Sequence, residues 1–266
     1  MKLGGTLHKM PTLNINPVQY FLDLSNERLA VNELLNKEIS LRFTGNIYCE
    51  ICGKKTYKSF GEGLCYNCFI TSAAAGEWIM KPELSKAHLG IEERNLEYEK
   101  AVQLQPHFVY LALVNETKVG VTRETQVPTR WIDQGANSAI LLAETPYRQL
   151  AGAIEVELKK HLSDKTNWQK MLKNEYNHSI DLIAEKERVR TLLPQEFQQY
   201  ILLENEIVNI EYPVLEYPSK VTSLSFDKSP QIQSKLIGIR GQYLILEGGQ
   251  VINIRKHSGY EIEVEA

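Results

Sequence analysis

All four cysteines of the 266-residue chain fall between positions 49 and 68. They stand as Cys49-x2-Cys52 and, after twelve intervening residues, Cys65-x2-Cys68. Two such turns present four thiolates to one tetrahedral zinc ion. Four protein ligands leave no open coordination position, so the zinc expected here is structural rather than catalytic. Two disulfides, or a redox-active pair, are the alternatives. The N-terminal MKLGGTLHKM carries no apolar export segment, so a reducing, cytoplasmic location is expected and disulfides are disfavoured. Lys54, Lys55 and Lys58 interleave with Tyr57, Phe60 and Tyr66 around these cysteines. Such a pattern can bind phosphate and stack bases, but a solvated set of lysines over a small aromatic core is the favoured reading.

A second group of chemically capable residues is spread over 108–162. Tyr110 lies in the apolar run FVYLAL and Lys118 opens KVGV after a break at Asn115-Glu116. The two runs read as a β-hairpin whose first strand is apolar on both faces, as a buried central strand is. Leu150, Ile154, Leu158 and Leu162 recur every fourth residue and make the apolar stripe of a helix. Glu155 lies one helical step of about 100° past Ile154 and falls at the edge of that stripe. A hairpin and a helix buried on each other could bring Tyr110, Arg130 and Glu155 together.

The stretch resembles the GIY-YIG nuclease domain, in its phage-type branch. The first signature stands as Phe108-Val109-Tyr110 and the second as Lys118-Val119-Gly120-Val121-Thr122. Arg130 matches the arginine that opens the first helix, and Glu155 matches the glutamate of a later one. The resemblance implies metal-dependent phosphodiester cleavage of DNA or RNA. Tyr110 would orient or deprotonate the water, Arg130 would hold the phosphate, and Glu155 would bind Mg²⁺ or Mn²⁺. Lys118 would replace the second tyrosine, binding phosphate or assisting proton transfer. Phe108 stands where that family has glycine, the Gly120–Arg130 segment is longer than usual, and Arg123 is a second candidate for the arginine. Over nearly its full length the chain also resembles a family of uncharacterised prokaryotic proteins known as a domain of unknown function. Its phrases are matched by KVGVTRETQVPTRWIDQGA and GIRGQYLILEGGQVINIRKHSGY. That likeness implies a second cysteine set around Lys81-Pro82-Glu83-Leu84, where this chain has Ala75, Trp78, Ser85 and Glu92, so a second metal site is not expected.

The expected fold class is α+β: a GIY-YIG-like small sheet with helices, an inserted zinc ribbon and a small C-terminal β-barrel-like unit. Residues 1–45 read as short strands that pack with the C-terminal β unit, 46–70 as the zinc ribbon, and 71–105 as a connecting region. Residues 106–195 read as the core with a helical extension, in which Ser163 or Asp164 caps a short helix through Leu172. Residues 196–266, with strands from Ile207 onward, read as the barrel-like domain. Arg240, Arg255, Lys256 and His257 read as a basic patch or as scattered surface charge. A net charge of −3 gives no overall basic field, so a nuclease would need a local one. No apolar run is long enough to span a membrane. A nuclease, a non-catalytic nucleic-acid-binding zinc protein and a protein-interaction factor are the competing function classes.

Overall fold

The computed structural model describes residues 2–24, 27–162 and 166–266. The expected cap at Ser163 or Asp164 lies outside the described residues. The chain forms two compact units. One comprises residues 1–70, 172–174 and 210–266, and the other 71–171 and 175–209. None of the helices among the described residues is long and apolar enough to cross a membrane.

The first unit is built on an eight-stranded sheet. Its path runs Lys2–Thr6, Tyr260–Glu265, Glu38–Tyr48, Gln231–Arg240, Tyr243–Leu246, Gln250–Asn253, Thr222–Leu224, with Lys55–Thr56 added beside Glu38–Tyr48. The strand Glu38–Tyr48 buries Ile39, Leu41 and Ile47, the period-two pattern of a sheet with one covered face. The N-terminal strands therefore share one sheet with the C-terminal ones. The barrel expected at the C-terminus does not form. Register irregularities at Leu236/Gly238 and Tyr260/Ile262 bend the sheet, but closure requires the two outer strands to pair. Here Lys2–Thr6 and Thr222–Leu224 remain edges among the described residues. Ile207–Asn209, expected as part of this β unit, pairs instead with a strand of the second unit.

The second unit holds α1 (Leu96–Gln103), β1 (His107–Leu113), β2 (Thr117–Arg123), α2 (Thr129–Asp133), β3 (Ser138–Thr145), α3 (Arg148–Leu158), α4 (Leu182–Arg190) and β4 (Ile207–Asn209). The sheet order is β4-β3-β1-β2, and its pairs are antiparallel. As the both-face apolar pattern predicts, every residue of β1 is buried. Val109, Leu111 and Leu113 join Val119, Ile140 and Leu142 on a core that takes Ala151, Ile154 and Leu158 from α3 and Leu182 and Val189 from α4. Each fully buried aliphatic side chain of this kind contributes on the order of 1.5–3 kcal/mol.

A second contact fixes α3 from outside. The turn Pro82–Leu84 lies so close to Gly152 that a Cβ there would sit 2.2 Å from the Glu83 backbone nitrogen. A helix-interior glycine costs helix propensity; here it admits that turn. Gly152→Ala is therefore expected to destabilise the protein by roughly 1–3 kcal/mol, as overpacking does. Chemical denaturation would measure this, and an unchanged midpoint would mean that the turn is free to move aside.

Candidate functional sites

The four cysteines converge in the first unit. Their sulfurs all lie within 4.8 Å of one another, and Cys52 Sγ and Cys65 Sγ are 3.9 Å apart. Tetrahedral Zn–S bonds of about 2.3 Å place sulfurs about 3.8 Å apart, so the donor set suits a structural zinc. Local backbone builds the cradle. Gly53 N–H donates to Cys49 O, Cys49 N–H donates to Lys54 O, and Glu50 N–H donates to Gly63 O, tying the two halves together. Burial pushes the Cys68 thiol up to about 12, with the other three sulfurs adding to the shift. Burial acts upward on Cys49 too, but the N–H groups of Cys52, Cys65 and Ile51 outweigh it and bring it down to about 6. Four crowded thiols resist full deprotonation unless a cation compensates them.

Around this centre, Phe60 meets Tyr66 edge-on at 5.3 Å and Lys58 lies over the Phe60 ring at 5.2 Å. These rings form a small cluster, but Tyr57 stands fully exposed. The C-terminal basic residues do not make a surface patch. Arg240 is fully buried, 4.9 Å from the Tyr212 ring, and His257 is buried as well. Arg255 pairs with Glu62 at 2.7 Å. An apolar sheet around Arg240 offers aromatic faces and the Asn174 amide oxygen, which accepts from its Nη1 at 2.6 Å, in place of water.

In the second unit, Tyr110 pairs with Gly120 across β1 and β2. Its ring lies over the glycine, so a Cβ at 120 would come 2.5 Å from the hydroxyl. Residue 120 is therefore glycine because the tyrosine occupies its side-chain space. Trp131 of α2 packs edge-on against the ring at 5.9 Å, and the hydroxyl donates to Gln134 Oε1 at 3.1 Å. Burial raises the Tyr110 pKa, opposed by the Arg130 charge and by hydrogen bonding to Gln134 and Arg130; Glu155 adds upward pressure. Tyr110, Arg130 and Glu155 thus share one electrostatic neighbourhood. Lys118 is turned elsewhere, its Nζ donating to Thr166 Oγ1 at 3.2 Å. Arg130 is only half-buried, whereas Tyr110 is fully buried.

Glu155 is not at the solvent edge of its helix. It is 7% exposed, and its buried Oε2, which makes no hydrogen bond, is ion-paired with Lys159 Nζ at 3.3 Å. Burial raises its pKa, the ammonium of Lys159 3.3 Å away opposes the rise, and Glu83 adds to it. Glu83 also has a buried, unbonded Oε2. Three neighbours escaped the sequence reading: Glu83, Gln134 and Arg148. The helix-interior glycine of Ala151-Gly152-Ala153 was the available signal for Glu83, since it marks a close backbone approach. For Arg148 and Gln134 no pattern in the sequence distinguishes them from surface residues.

Residues 36–262 match the family described as Protein of unknown function (DUF2797). The chain belongs to this family. No curated protein and no solved structure matches it.

Two outcomes are expected. Protein purified without added metal should carry about one zinc per chain by elemental analysis, as a four-thiolate site requires, and a strong chelator should lower its melting temperature; an intact disulfide and no metal would reject the zinc reading. His107 in β1 gives a pH signature. Burial pushes its pKa down to about 4, against an unfolded value near 6.5. Below about 6.5 the unfolded chain binds a proton that the folded chain refuses, so this group's contribution to stability falls between pH 6.5 and 4. Denaturation midpoints across that range should decline less steeply in His107→Gln than in the wild type.

Proposed function

We propose that the second unit is a divalent-metal-dependent nuclease of GIY-YIG type that cleaves phosphodiester bonds in DNA or RNA, and that the four cysteines of the first unit hold a structural zinc. What supports this is that Tyr110, Arg130 and Glu155, which stand at the positions the motif resemblance assigns, are near enough for the charges of Arg130 and Glu155 both to act on the Tyr110 hydroxyl.

The site's own groups divide the work. The Arg130 guanidinium pairs with a phosphate through two parallel N–H donors and balances charge as it develops. Tyr110, with its pKa raised by burial, keeps its proton and orients Arg130 together with Gln134, so positioning fits it better than the role of general base. The Glu155 carboxylate, whose buried Oε2 is ion-paired with Lys159 at 3.3 Å, is the hard oxygen donor that would hold Mg²⁺ or Mn²⁺. Such an ion, when bound, polarises the phosphoryl oxygen and activates water. Glu155 must then release Lys159, whose partly exposed side chain can swing into solvent. Lys118, on the neighbouring strand position, would reach a phosphate only by leaving Thr166.

A second reading has its own support: binding of nucleic acid without cleavage. The full burial of Tyr110 favours it, as do the exposed Tyr57 and Tyr66 rings among Lys54, Lys55 and Lys58 near the zinc cradle. Purified protein incubated with single- and double-stranded DNA and RNA in Mg²⁺ and Mn²⁺ separates the two. Cleavage is expected. Glu155→Gln should abolish it with the fold intact, and Arg130→Ala should reduce it by roughly 10²-fold or more, the usual effect of losing a transition-state charge partner. Full activity in Glu155→Gln would reject the assigned site. Binding without cleavage in any condition would leave the second reading in its place.

A further inference from the structure

A cleft of about 710 Å³ opens in the first unit beside the cysteine centre, lined by Thr6, His8, Tyr48, Glu261 and the turn from Cys49 to Gly53. The sheet builds it. Thr6 and Glu261 are cross-strand partners, and Tyr48 ends the strand Glu38–Tyr48, which lies on the other side of Tyr260–Glu265. Three adjacent strands and the first cysteine turn therefore meet at one cleft. Leu7 N–H donates to Tyr260 O and Gly259 N–H donates to Leu7 O, both at 2.8 Å, which carries the chain on to His8. His8 Nδ1 then donates to Glu50 Oε2 at 2.8 Å and latches the N-terminal segment to the cysteine turn.

The cleft is acidic, and its two carboxylates are held differently. Glu50 gives one oxygen to His8. Glu261 Oε2 accepts from Thr44 Oγ1 at 2.6 Å and from Asn46 Nδ2 at 2.8 Å. These neutral donors, Asn46 foremost, fix the carboxylate and hold its pKa below the usual range. Its Oε1 makes no hydrogen bond, and among the described residues no ammonium or guanidinium forms an ion pair with it; Lys55 acts on it through its charge alone. The neighbouring cysteine centre adds to the field, since four thiolates outweigh the charge of one Zn²⁺. Such a cleft repels phosphate and draws in a cation.

The chemistry favours an organic cation over a metal ion. Among the described residues the cysteines are the one set of three or more ligand atoms close enough to share an ion, and His8, Glu50 and Glu261 form no such set. The volume is that of a small-ligand site. Ile51, exposed in the same lining, offers apolar surface to a methylene stem whose charged head stays among polar groups. We propose that this cleft binds an ammonium or guanidinium group carried on an aliphatic chain, with Glu261 Oε1 as its anchor and Glu50 as the second carboxylate. A lysine or arginine side chain of a partner protein and a free polyamine share that chemistry. The cleft lies wholly in the cysteine-bearing unit, so this binding is independent of the Tyr110–Arg130–Glu155 group.

Isothermal titration calorimetry on full-length protein purified in the presence of zinc tests the site. Spermidine, agmatine and the end-blocked peptides Gly-Arg-Gly and Gly-Lys-Gly should bind, whereas end-blocked Gly-Gln-Gly and inorganic phosphate should not. Glu261→Gln and Glu50→Gln should each weaken binding about tenfold, the scale of a lost hydrogen bond to a charged group. Lys55→Gln removes a competing cation and should bind at least as tightly as the wild type. If Glu261→Gln loses zinc or melts lower, Glu50→Gln decides the matter, because its amide can still bond His8 and its backbone tie to Gly63 is untouched. Tighter binding of spermidine or agmatine than of the peptides would mark a free polyamine, and the reverse a protein partner; both uphold the site. Absence of binding by every cation, equal binding of the Gln peptide, or wild-type affinity in the folded glutamate variants would overturn it.

Discussion

A tyrosine ring fills the space that a side chain at position 120 would need. This contact sets much of the second unit. It makes Gly120 obligatory, fixes the pairing of β1 with β2, and carries the Tyr110 hydroxyl across the hairpin to Gln134. Trp131 closes over the ring and so holds α2, which carries Arg130. On the opposite face, Val109 and Leu111 meet α3, which carries Glu155. One strand thus anchors the arginine through its even-numbered side chains and the glutamate through its odd-numbered ones. The period-two geometry of a strand and the 3.6-residue period of a helix together decide which charges meet.

In the first unit the corresponding constraint is chemical. The sulfurs of Cys49 and Cys68 are buried and those of Cys52 and Cys65 are more open, so the centre is packed on one side and wet on the other. Short strands and turns of this size bury too little apolar surface to hold themselves. Metal–thiolate bonds supply the missing stability in such elements, because a binding free energy realised only in the folded state is folding free energy.

Much of this was legible in the chain. The paired Cys-x2-Cys turns specify a cluster by spacing alone. The alternation in 108–113 and the four-residue repeat of Ile154 and Leu158 specify a strand and a helix by period. What escaped is what depends on shape across elements. Nothing local tells an edge strand from a barrel strand, since closure depends on the last partner in the sheet. Ile207–Asn209 reads as one more strand in a β-rich tail, and only tertiary pairing sends it to β3. Glu155 was placed at the solvent edge because its angle on the helix was visible, while the Pro82–Leu84 turn that covers it comes from some seventy positions earlier. Arg240 and His257 looked like surface charge because sequence does not show Tyr212, Tyr217 or the Asn253 carbonyl that receive them.

The pairing of Lys2–Thr6 with Tyr260–Glu265 matters for how the protein is made. The strand Lys2–Thr6 cannot find its partner until residues 260–265 have been added. At about 5–20 residues per second, that edge stays unpaired for roughly ten to fifty seconds. The residues from 71 to 209 are complete well before then, with their sheet lacking nothing that lies further along the chain. Translation therefore completes the second unit first and leaves the cysteine-bearing one waiting for its later strands, exposed to chaperones and to premature thiol oxidation. Early capture of zinc by the cysteine turns would protect those thiols during the wait.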